Sequence, residues 1–279
     1  MKKLLKKNCL LLALGAAIVV FISCVESIKL NKTTLGLAVG ESETLLVTAT
    51  PVNFAVPVKW ISDNAAVAVD STGKVTAMST GTAVITAKAG NKTATCTIAV
   101  GVRINGVIWA TCNVDAPNTF TDTPQEHGKY YMWNVKHGYD WDTKIDPVKY
   151  DHDSPPGSTW QKENDPCPAG WRVPTAEEQQ SLFVSDSKWT TTPANGRIFG
   201  NDENTIFLPA AGYGTGDLNH PDPNQSWYGK DGRVTYWNSA SNKDSIVYAQ
   251  GMWFSIHNDI GYSEKGMRFY KYSVRCVAE

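Results

Sequence analysis

Hydrophobic and polar residues alternate along much of the chain between residues 27 and 102. In one stretch, Leu45, Val47 and Ala49 would lie on one face of a strand, and the residues between them on the other. A period of two residues is typical of a half-buried β-strand. A later run, 84–88, is rich in β-branched residues, and turn-forming residues recur at short intervals. This pattern predicts short strands packed as an antiparallel β-sandwich.

The first 24 residues begin with lysines, continue with a long apolar run and end at a cysteine. Four lysines precede residue 8, residues 10–22 are almost all apolar, and Ser23 precedes Cys24. This order is typical of a secretory signal, and the run is short for a membrane span. Residues 21–24 resemble the box of bacterial lipoproteins. The resemblance implies a signal peptide at 1–23, lipidation of Cys24, and a lipid-anchored location at the outer membrane or cell surface; an uncleaved anchor helix is the alternative.

A series of short motifs runs through the predicted sandwich. They are Ile28-Lys29-Leu30-Asn31, Val39-Gly40-Glu41, Val58-Lys59-Trp60, Val67-Ala68-Val69-Asp70, Gly73-Lys74-Val75-Thr76-Ala77 and Gly81-Thr82-Ala83-Val84-Ile85-Thr86-Ala87. In this order they resemble the bacterial immunoglobulin-like group 2 domain, here at 24–102. The resemblance implies a spacer or adhesion module without an active site. Trp60 is expected to fill the core, and Cys96 to be a small buried hydrophobe rather than a reactive thiol.

The composition changes at residue 103. Only one of the ten tryptophans lies before it, and all eleven tyrosines lie after it. Long polar loops are predicted at 139–165 and 212–232. Thr175 and Glu178 predict a capping box at the start of a helix. Strands are predicted at 107–109, 129–133, 205–208, 234–237, 252–256, 267–270 and 273–277.

Residues 103–279 also carry a recognisable set of motifs. They are Trp109-Ala110-Thr111-Cys112-Asn113-Val114, Gly128-Lys129-Tyr130-Tyr131-Met132-Trp133, residues 165–175, Phe207-Leu208-Pro209-Ala210-Ala211-Gly212-Tyr213, Tyr236-Trp237-Asn238-Ser239 and Ser273-Val274-Arg275-Cys276-Val277. These resemble the Fibrobacter succinogenes major paralogous domain, with Asn238 where serine is more usual. The resemblance implies a C-type lectin-like fold. The expected fold class is therefore mainly β with an α+β C-terminal part, joined by a short hinge near Gly101 that allows limited flexing.

Four cysteines beyond the lipidation site and the signal remain to be assigned. Cys167 lies just before the predicted helix and Cys276 in the last strand, and an extracytoplasmic location would allow them to form a disulfide. Cys112 is expected to stay free, with Cys96 as the only other candidate partner. The alternative is that all four stay reduced and buried.

Several classes of function are disfavoured by the sequence. The formal net charge is -1 and no basic stripe is present, which argues against nucleic-acid binding. The histidines form no zinc motif, and no G-x-S-x-G nucleophile elbow occurs, so no metal, cofactor or enzymatic activity is expected. An acidic cluster could supply some oxygen ligands for calcium, but the favoured interpretation of this cluster is a solvated loop. The cluster comprises Asp140, Asp142, Asp146, Asp151 and Asp153.

Carbohydrate binding is the remaining chemistry that the composition favours. Sugars present apolar faces ringed by hydroxyls, which suit aromatic side chains flanked by carboxylates and amides. One segment with this composition surrounds Trp141. The other supplies Asp222, Asn224, Trp227 and Tyr228. Each aromatic could instead fold inward and pin its loop. Five tryptophans within motif runs are expected in the core: Trp109, Trp133, Trp171, Trp237 and Trp253.

The sequence as a whole predicts a surface lipoprotein that presents a lectin-like domain for adhesion to a glycan or protein ligand. One alternative is a structural subunit of a fimbria or surface assembly. A weaker alternative is a degenerate enzyme of the formylglycine type, which is disfavoured because only Cys276 lies where that fold uses a reactive cysteine pair.

Overall fold

A computed structural model describes residues 25–51, 57–141, 157–215, 227–230, 232–243 and 245–279, and the chain is mainly β. One α-helix, α1 (Ala176–Ser181), is described, with 3-10 helices at Lys162–Asn164 and Leu182–Val184. The strands are β1 (Ser27–Leu30), β2 (Thr34–Ala38), β3 (Ser42–Thr44), β4 (Val47–Thr50), β5 (Lys59–Ser62), β6 (Val67–Val69), β7 (Lys74–Ala77), β8 (Gly81–Ala89), β9 (Lys92–Ile104), β10 (Val107–Trp109), β11 (Tyr130–Tyr131), β12 (Gly138–Tyr139), β13 (Trp171–Arg172), β14 (Ser187–Thr190), β15 (Gly196–Asn201), β16 (Asn204–Pro209), β17 (Tyr213–Gly214), β18 (Trp227–Tyr228), β19 (Arg233–Ser241), β20 (Tyr248–Ser255), β21 (Ile260–Met267) and β22 (Val277–Ala278).

The N-terminal strands form a sandwich with alternating burial. The sheet β3-β7-β6 packs on the sheet that contains β2, β8 and β9. Leu45 is fully buried, Val47 and Ala49 are half-buried, and the residues between them are exposed, which confirms the predicted alternation. Cys96 is buried as predicted. Trp60 is only half-buried, at the edge of the core. Its ring packs on Gly73, where an added Cβ would lie 2.5 Å from the indole.

Strand β9 runs through the boundary predicted at residue 102. Its first part pairs with β8, and Val102, Arg103 and Ile104 pair with β10. The sheet order β13-β22-β10-β9-β8-β5 therefore joins strands from both sides of that boundary. Gly101, predicted to lie at a hinge, lies inside this strand.

Side chains also connect the two parts. The indole Nε1 of Trp171 donates to Thr82 Oγ1 at 2.8 Å. Arg103 forms a half-exposed ion pair with Glu41 at 2.7 Å. Surface ion pairs contribute at most about 1 kcal/mol, so the shared sheet and its packing, rather than this pair, hold the junction.

Among its described residues, the C-terminal part has two packed cores. One surrounds the disulfide and Trp237, and the other lies between the sheets β14-β15-β16 and β19-β20-β21. Trp109, Trp133, Trp171 and Trp237 are buried, as predicted. The core placement of Trp253 was wrong, because its ring is half-buried across Gly261 of the neighbouring strand, with the Arg233 guanidinium 4.8 Å from its centroid.

The predicted helix start is confirmed, and two of the predicted strands were wrong. Glu178 N–H donates to Thr175 Oγ1 at 3.2 Å, and Thr175 N–H donates to the Glu178 carboxylate at 2.8 Å, which completes the capping box. Residues 268–270 form a turn instead of a strand, and of the run 273–277 only Val277 lies in a strand, β22, so Cys276 precedes the last strand. β21 ends at Met267, whose carbonyl accepts the Tyr270 N–H at 2.8 Å.

The disulfide between Cys167 and Cys276 is confirmed, with 6.1 Å between the Cα atoms. The cysteines are 109 residues apart. A crosslink that closes such a loop stabilises by up to about 4–5 kcal/mol in the chain-entropy model. Cys96 and Cys112 are free thiols, and burial raises the pKa of Cys96 to about 11, which keeps it protonated and unreactive.

Candidate functional site

A concave surface beside Trp141, here called the Trp141 groove, has a volume of about 450 Å³. This size lies within the usual range of small-ligand sites, roughly 300–1,000 Å³. The groove combines aromatic rings with carboxylates. It is lined by Asp115, Phe120, Thr121, Asp122, Glu126, His127, Gly128, Tyr130, Asp140 and Trp141.

The hairpin β11–β12 places the aromatic wall of the groove. Tyr130 pairs with Tyr139, and the Tyr130 hydroxyl donates to the buried Ala211 carbonyl at 2.5 Å. The Trp141 ring follows two residues after Tyr139 and lies 5.7 Å from the Tyr130 ring, centroid to centroid. Tyr130 is fully buried whereas Trp141 is half-buried. The wall therefore has a rigid base and one aromatic ring that is partly open to solvent.

Lys230 lies at this wall, two residues after the second segment predicted to bind ligand. Lys230 places its ammonium group 5.4 Å from the Trp141 ring centroid. Trp227 and Tyr228 form strand β18 just before Lys230, and Tyr228 pairs with Tyr213 of β17. The Trp141 ring therefore lies near the residues that follow β18.

Carboxylates give the groove an acidic rim. Asp140 is mostly exposed and accepts from Lys129 Nζ at 2.6 Å. The Glu126 carboxylate accepts the Asp122 N–H at 3.0 Å, which ties the rim loop to itself. Asp122 and Glu126 are both exposed. These acceptors could bind sugar hydroxyls or amino groups, and they would repel an anionic ligand.

The floor of the groove requires a glycine. Gly128 has φ +69°, and a Cβ there would lie 2.2 Å from the Val114 carbonyl oxygen. Asn113 Nδ2 donates to the His127 carbonyl at 2.9 Å. A glycine in the left-handed region and a buried amide therefore hold the loop that carries the acidic rim.

Behind the floor, a buried network around Arg275 joins several of the quoted motifs. The Arg275 guanidinium donates twice to Asn113 Oδ1, at 2.8 and 3.0 Å, and also to the carbonyls of Ala110 and Phe207, each at 3.1 Å. Tyr236 accepts from Asn113 Nδ2 and donates to a backbone carbonyl, each at 3.1 Å. Burial lowers the pKa of Arg275 and raises that of Tyr236 to about 12.

Sequence reasoning missed this network. Its only signal was a charged residue and an amide, Arg275 and Asn113, placed within otherwise apolar runs. Another buried basic residue, Lys271, was missed as well. Its ammonium group lies 5.1 Å from the Tyr139 ring centroid, and burial lowers its pKa to about 7.

Several predicted residues lie outside the described part of the chain. These are Cys24, Asp222 and Asn224, together with Asp142, Asp146, Asp151 and Asp153 of the acidic cluster. Within the described ranges, no group of three His, Cys, Asp or Glu side chains is placed to hold a metal ion. In that same part of the chain, no helix has both the length and the apolar character to cross a bilayer.

Comparison with known proteins identifies one module. Residues 24–98 match the family described as bacterial Ig-like domain (group 2). No curated protein matches the chain. Among solved structures, domains 4 and 5 of the S-layer protein SbsC are 24% identical with a TM-score of 0.25, over 28% of this chain and 52% of that one. SbsC domains 5-6 are 12% identical with a TM-score of 0.26, over 90% and 97%. The chain thus spans about half of the SbsC structure of domains 4 and 5.

Proposed function

We propose that this protein is a lipid-anchored protein of the bacterial cell surface whose C-terminal part, a C-type lectin-like unit, binds a glycan. The Ig-like module would serve as the spacer between anchor and ligand. No catalytic step is proposed. The observation that carries the binding proposal is the Trp141 groove, where a half-buried indole stands beside exposed carboxylates.

The surface location is supported by three features of the chain. The first 24 residues have the charge, length and small-residue pattern of a lipoprotein signal ending at Cys24. An Ig-like module follows directly at 24–98. The disulfide is a third feature that favours an oxidising compartment outside the cytoplasm.

Acylation of Cys24 is tested by labelling with palmitate in the producing bacterium. We expect the full chain to incorporate label and Cys24→Ala to incorporate none, because the thiol is the acyl acceptor. Cys112→Ala removes a half-exposed free cysteine and should incorporate label like the unchanged chain. Equal labelling of Cys24→Ala would contradict the anchor.

The glycan proposal is supported by the chemistry of the groove. An indole face can bury the C–H groups of a sugar ring, while carboxylate oxygens accept from its hydroxyls. Asp140 is paired with Lys129, and the exposed carboxylates of Asp122 and Glu126 disfavour sulfated or carboxylated sugars. Neutral and amino sugars are therefore the expected ligands of this groove.

A glycan array with the purified chain, with and without calcium, tests this proposal. We expect Trp141→Ala to weaken binding about tenfold, since stacking and burial of the indole contribute roughly 1.4 kcal/mol. Trp189→Ala is the matched control, because Trp189 is also half-buried but packs on Phe254 outside the groove. A Trp227→Ala variant on the same array tests whether strand β18 contributes to glycan binding.

Two results would contradict glycan binding in the Trp141 groove. One is unchanged binding by Trp141→Ala. The other is a silent array together with a specific surface protein recovered by crosslinking, which would favour the structural-subunit alternative.

A further inference from the structure

A second concave surface, here called the Tyr262 groove, has a volume of about 830 Å³, larger than the Trp141 groove. It lies between the start of α1, the backbone at 157–159 and the strands β19, β20 and β21. Its lining includes the side chains of Glu177, Gln180, Asn242, Gln250, Tyr262 and Arg268.

A chain of hydrogen bonds that begins in the core at Gln179 and Asn238 fixes the half-buried Tyr262 at the groove wall. Asn238 is fully buried, and its Nδ2 donates to Tyr262 Oη at 3.1 Å and to Gln179 Oε1 at 2.9 Å. Gln179, itself buried, donates to the carbonyls of residues 236 and 237. The Tyr262 hydroxyl in turn donates to Gln250 Oε1. The ring and the Gln250 amide are thus oriented before any ligand arrives, which lowers the entropy lost on binding.

The chemistry of the lining is mostly neutral. Gln180, Asn242 and Gln250 supply amides, and neighbouring serine and threonine residues supply hydroxyls. Both groups can donate and accept, which matches hydroxyl-rich ligands. Ile246, 81% exposed, adds an apolar surface at the rim.

The charged residues do not make the groove an anion site. Glu177 and Lys243 contribute one charge of each sign. The Arg268 guanidinium is buried, donates to the carbonyls of Gly157 and Tyr248, and lies 4.3 Å from the Trp133 ring centroid. Arg268 is thus engaged by carbonyls and an aromatic ring. Its guanidinium stabilises the wall of the groove and is not directed at a ligand.

We propose that the Tyr262 groove is a second binding site, specific for a neutral oligosaccharide, with Tyr262 as the stacking platform and Asn238 as its positioning residue. This site is separate from the Trp141 groove and differs from it in charge. Asn238 thereby acquires a role in this chain: its amide holds the tyrosine.

The test measures binding of cellohexaose, maltohexaose and mannohexaose to the full chain in a polyoxyethylene detergent by isothermal titration calorimetry. We expect at least one of these to bind, and Tyr262→Ala to weaken its binding about tenfold. Tyr262→Phe keeps the ring but loses the hydrogen bonds to Asn238 and Gln250, so a smaller loss is expected. Tyr270→Ala, which alters a half-buried tyrosine outside the groove, should bind as the unchanged chain does.

Three outcomes would overturn the inference. The first is that none of the three neutral oligosaccharides binds. The second is that Tyr262→Ala binds as the unchanged chain does. The third is that oligogalacturonate binds more tightly than every neutral probe. Asn238→Ser adds an independent check, because it should weaken binding without removing any residue that lines the groove; circular dichroism reports whether it folds. Loss of binding in Trp141→Ala with unchanged binding in Tyr262→Ala would support the Trp141 groove alone.

Discussion

Replacing Arg275 with methionine is expected to lower the free energy of unfolding by about 3–4 kcal/mol. The substitution leaves Asn113 Oδ1 and the carbonyls of Ala110 and Phe207 without the guanidinium that now donates to them. Each buried acceptor left unpaired costs about 1–3 kcal/mol, partly offset because a buried charge is removed. Urea denaturation followed by tryptophan fluorescence measures the change.

Arg172→Met is the control for this prediction. Arg172 pairs with Glu178 at 2.6 Å, and its side chain is 35% exposed. Removing a partly solvated ion pair should lower the free energy of unfolding by about 1 kcal/mol or less. An equal decrease in the free energy of unfolding of both variants would show that the buried Arg275 network stabilises the fold no more than a surface ion pair does. Arg275→Lys should recover little of the lost stability, since one ammonium group cannot reproduce the planar set of N–H donors of the guanidinium.

Gly101→Ala is expected to destabilise the junction by about 3 kcal/mol, which for a chain of this size lowers the unfolding midpoint by roughly 6–12 °C. A Cβ at this position would lie 2.2 Å from the Trp109 carbonyl oxygen and 3.0 Å from Ile108 Cγ2. Strand β10 would have to move away from β9, and the shared sheet would be disrupted. Differential scanning calorimetry gives the midpoint.

A glycine in open surroundings provides the comparison. At Gly232 the nearest atom to an added Cβ is Ile256 Cγ2 at 3.9 Å, an ordinary contact. Gly232→Ala should therefore change stability by less than about 0.5 kcal/mol. A Gly101→Ala protein that unfolds at the wild-type midpoint would mean that the two parts of the chain are joined more loosely than the continuous strand indicates.

The junction shows what local sequence patterns can and cannot predict. The change in composition near residue 102 was visible, and the match at 24–98 supports an Ig-like module there. Sequence reasoning expected a short hinge with limited flexing near Gly101, between two domains, because boundaries fall in linkers that few contacts cross. The structure uses this glycine for close backbone approach within β9. This role is visible only once β10 is paired with β9, because the atoms that approach Gly101 belong to β10.

The two grooves differ in how visible they were from the sequence. Trp141 was recognised because its own neighbours in the chain are acidic, so the chemistry is local. The Tyr262 groove was missed because its parts come from separate places: Gln180 from α1, Gln250 from β20 and Tyr262 from β21. Residues far apart in sequence carry no shared local pattern before the chain folds.

Sequence alone determined the features that depend on neighbouring residues: the alternation at Leu45, Val47 and Ala49, the capping box at Thr175, and the signal-like start. The Cys167–Cys276 pairing was also predicted, although with the reduced state left open. The tertiary structure decided which polar groups became buried and paired, above all Arg275, Asn113 and Asn238. It also decided that one strand is shared across the junction. The physical reason is that periodicity and capping are local free-energy terms, whereas desolvation and hydrogen-bond pairing depend on segments brought together only by folding.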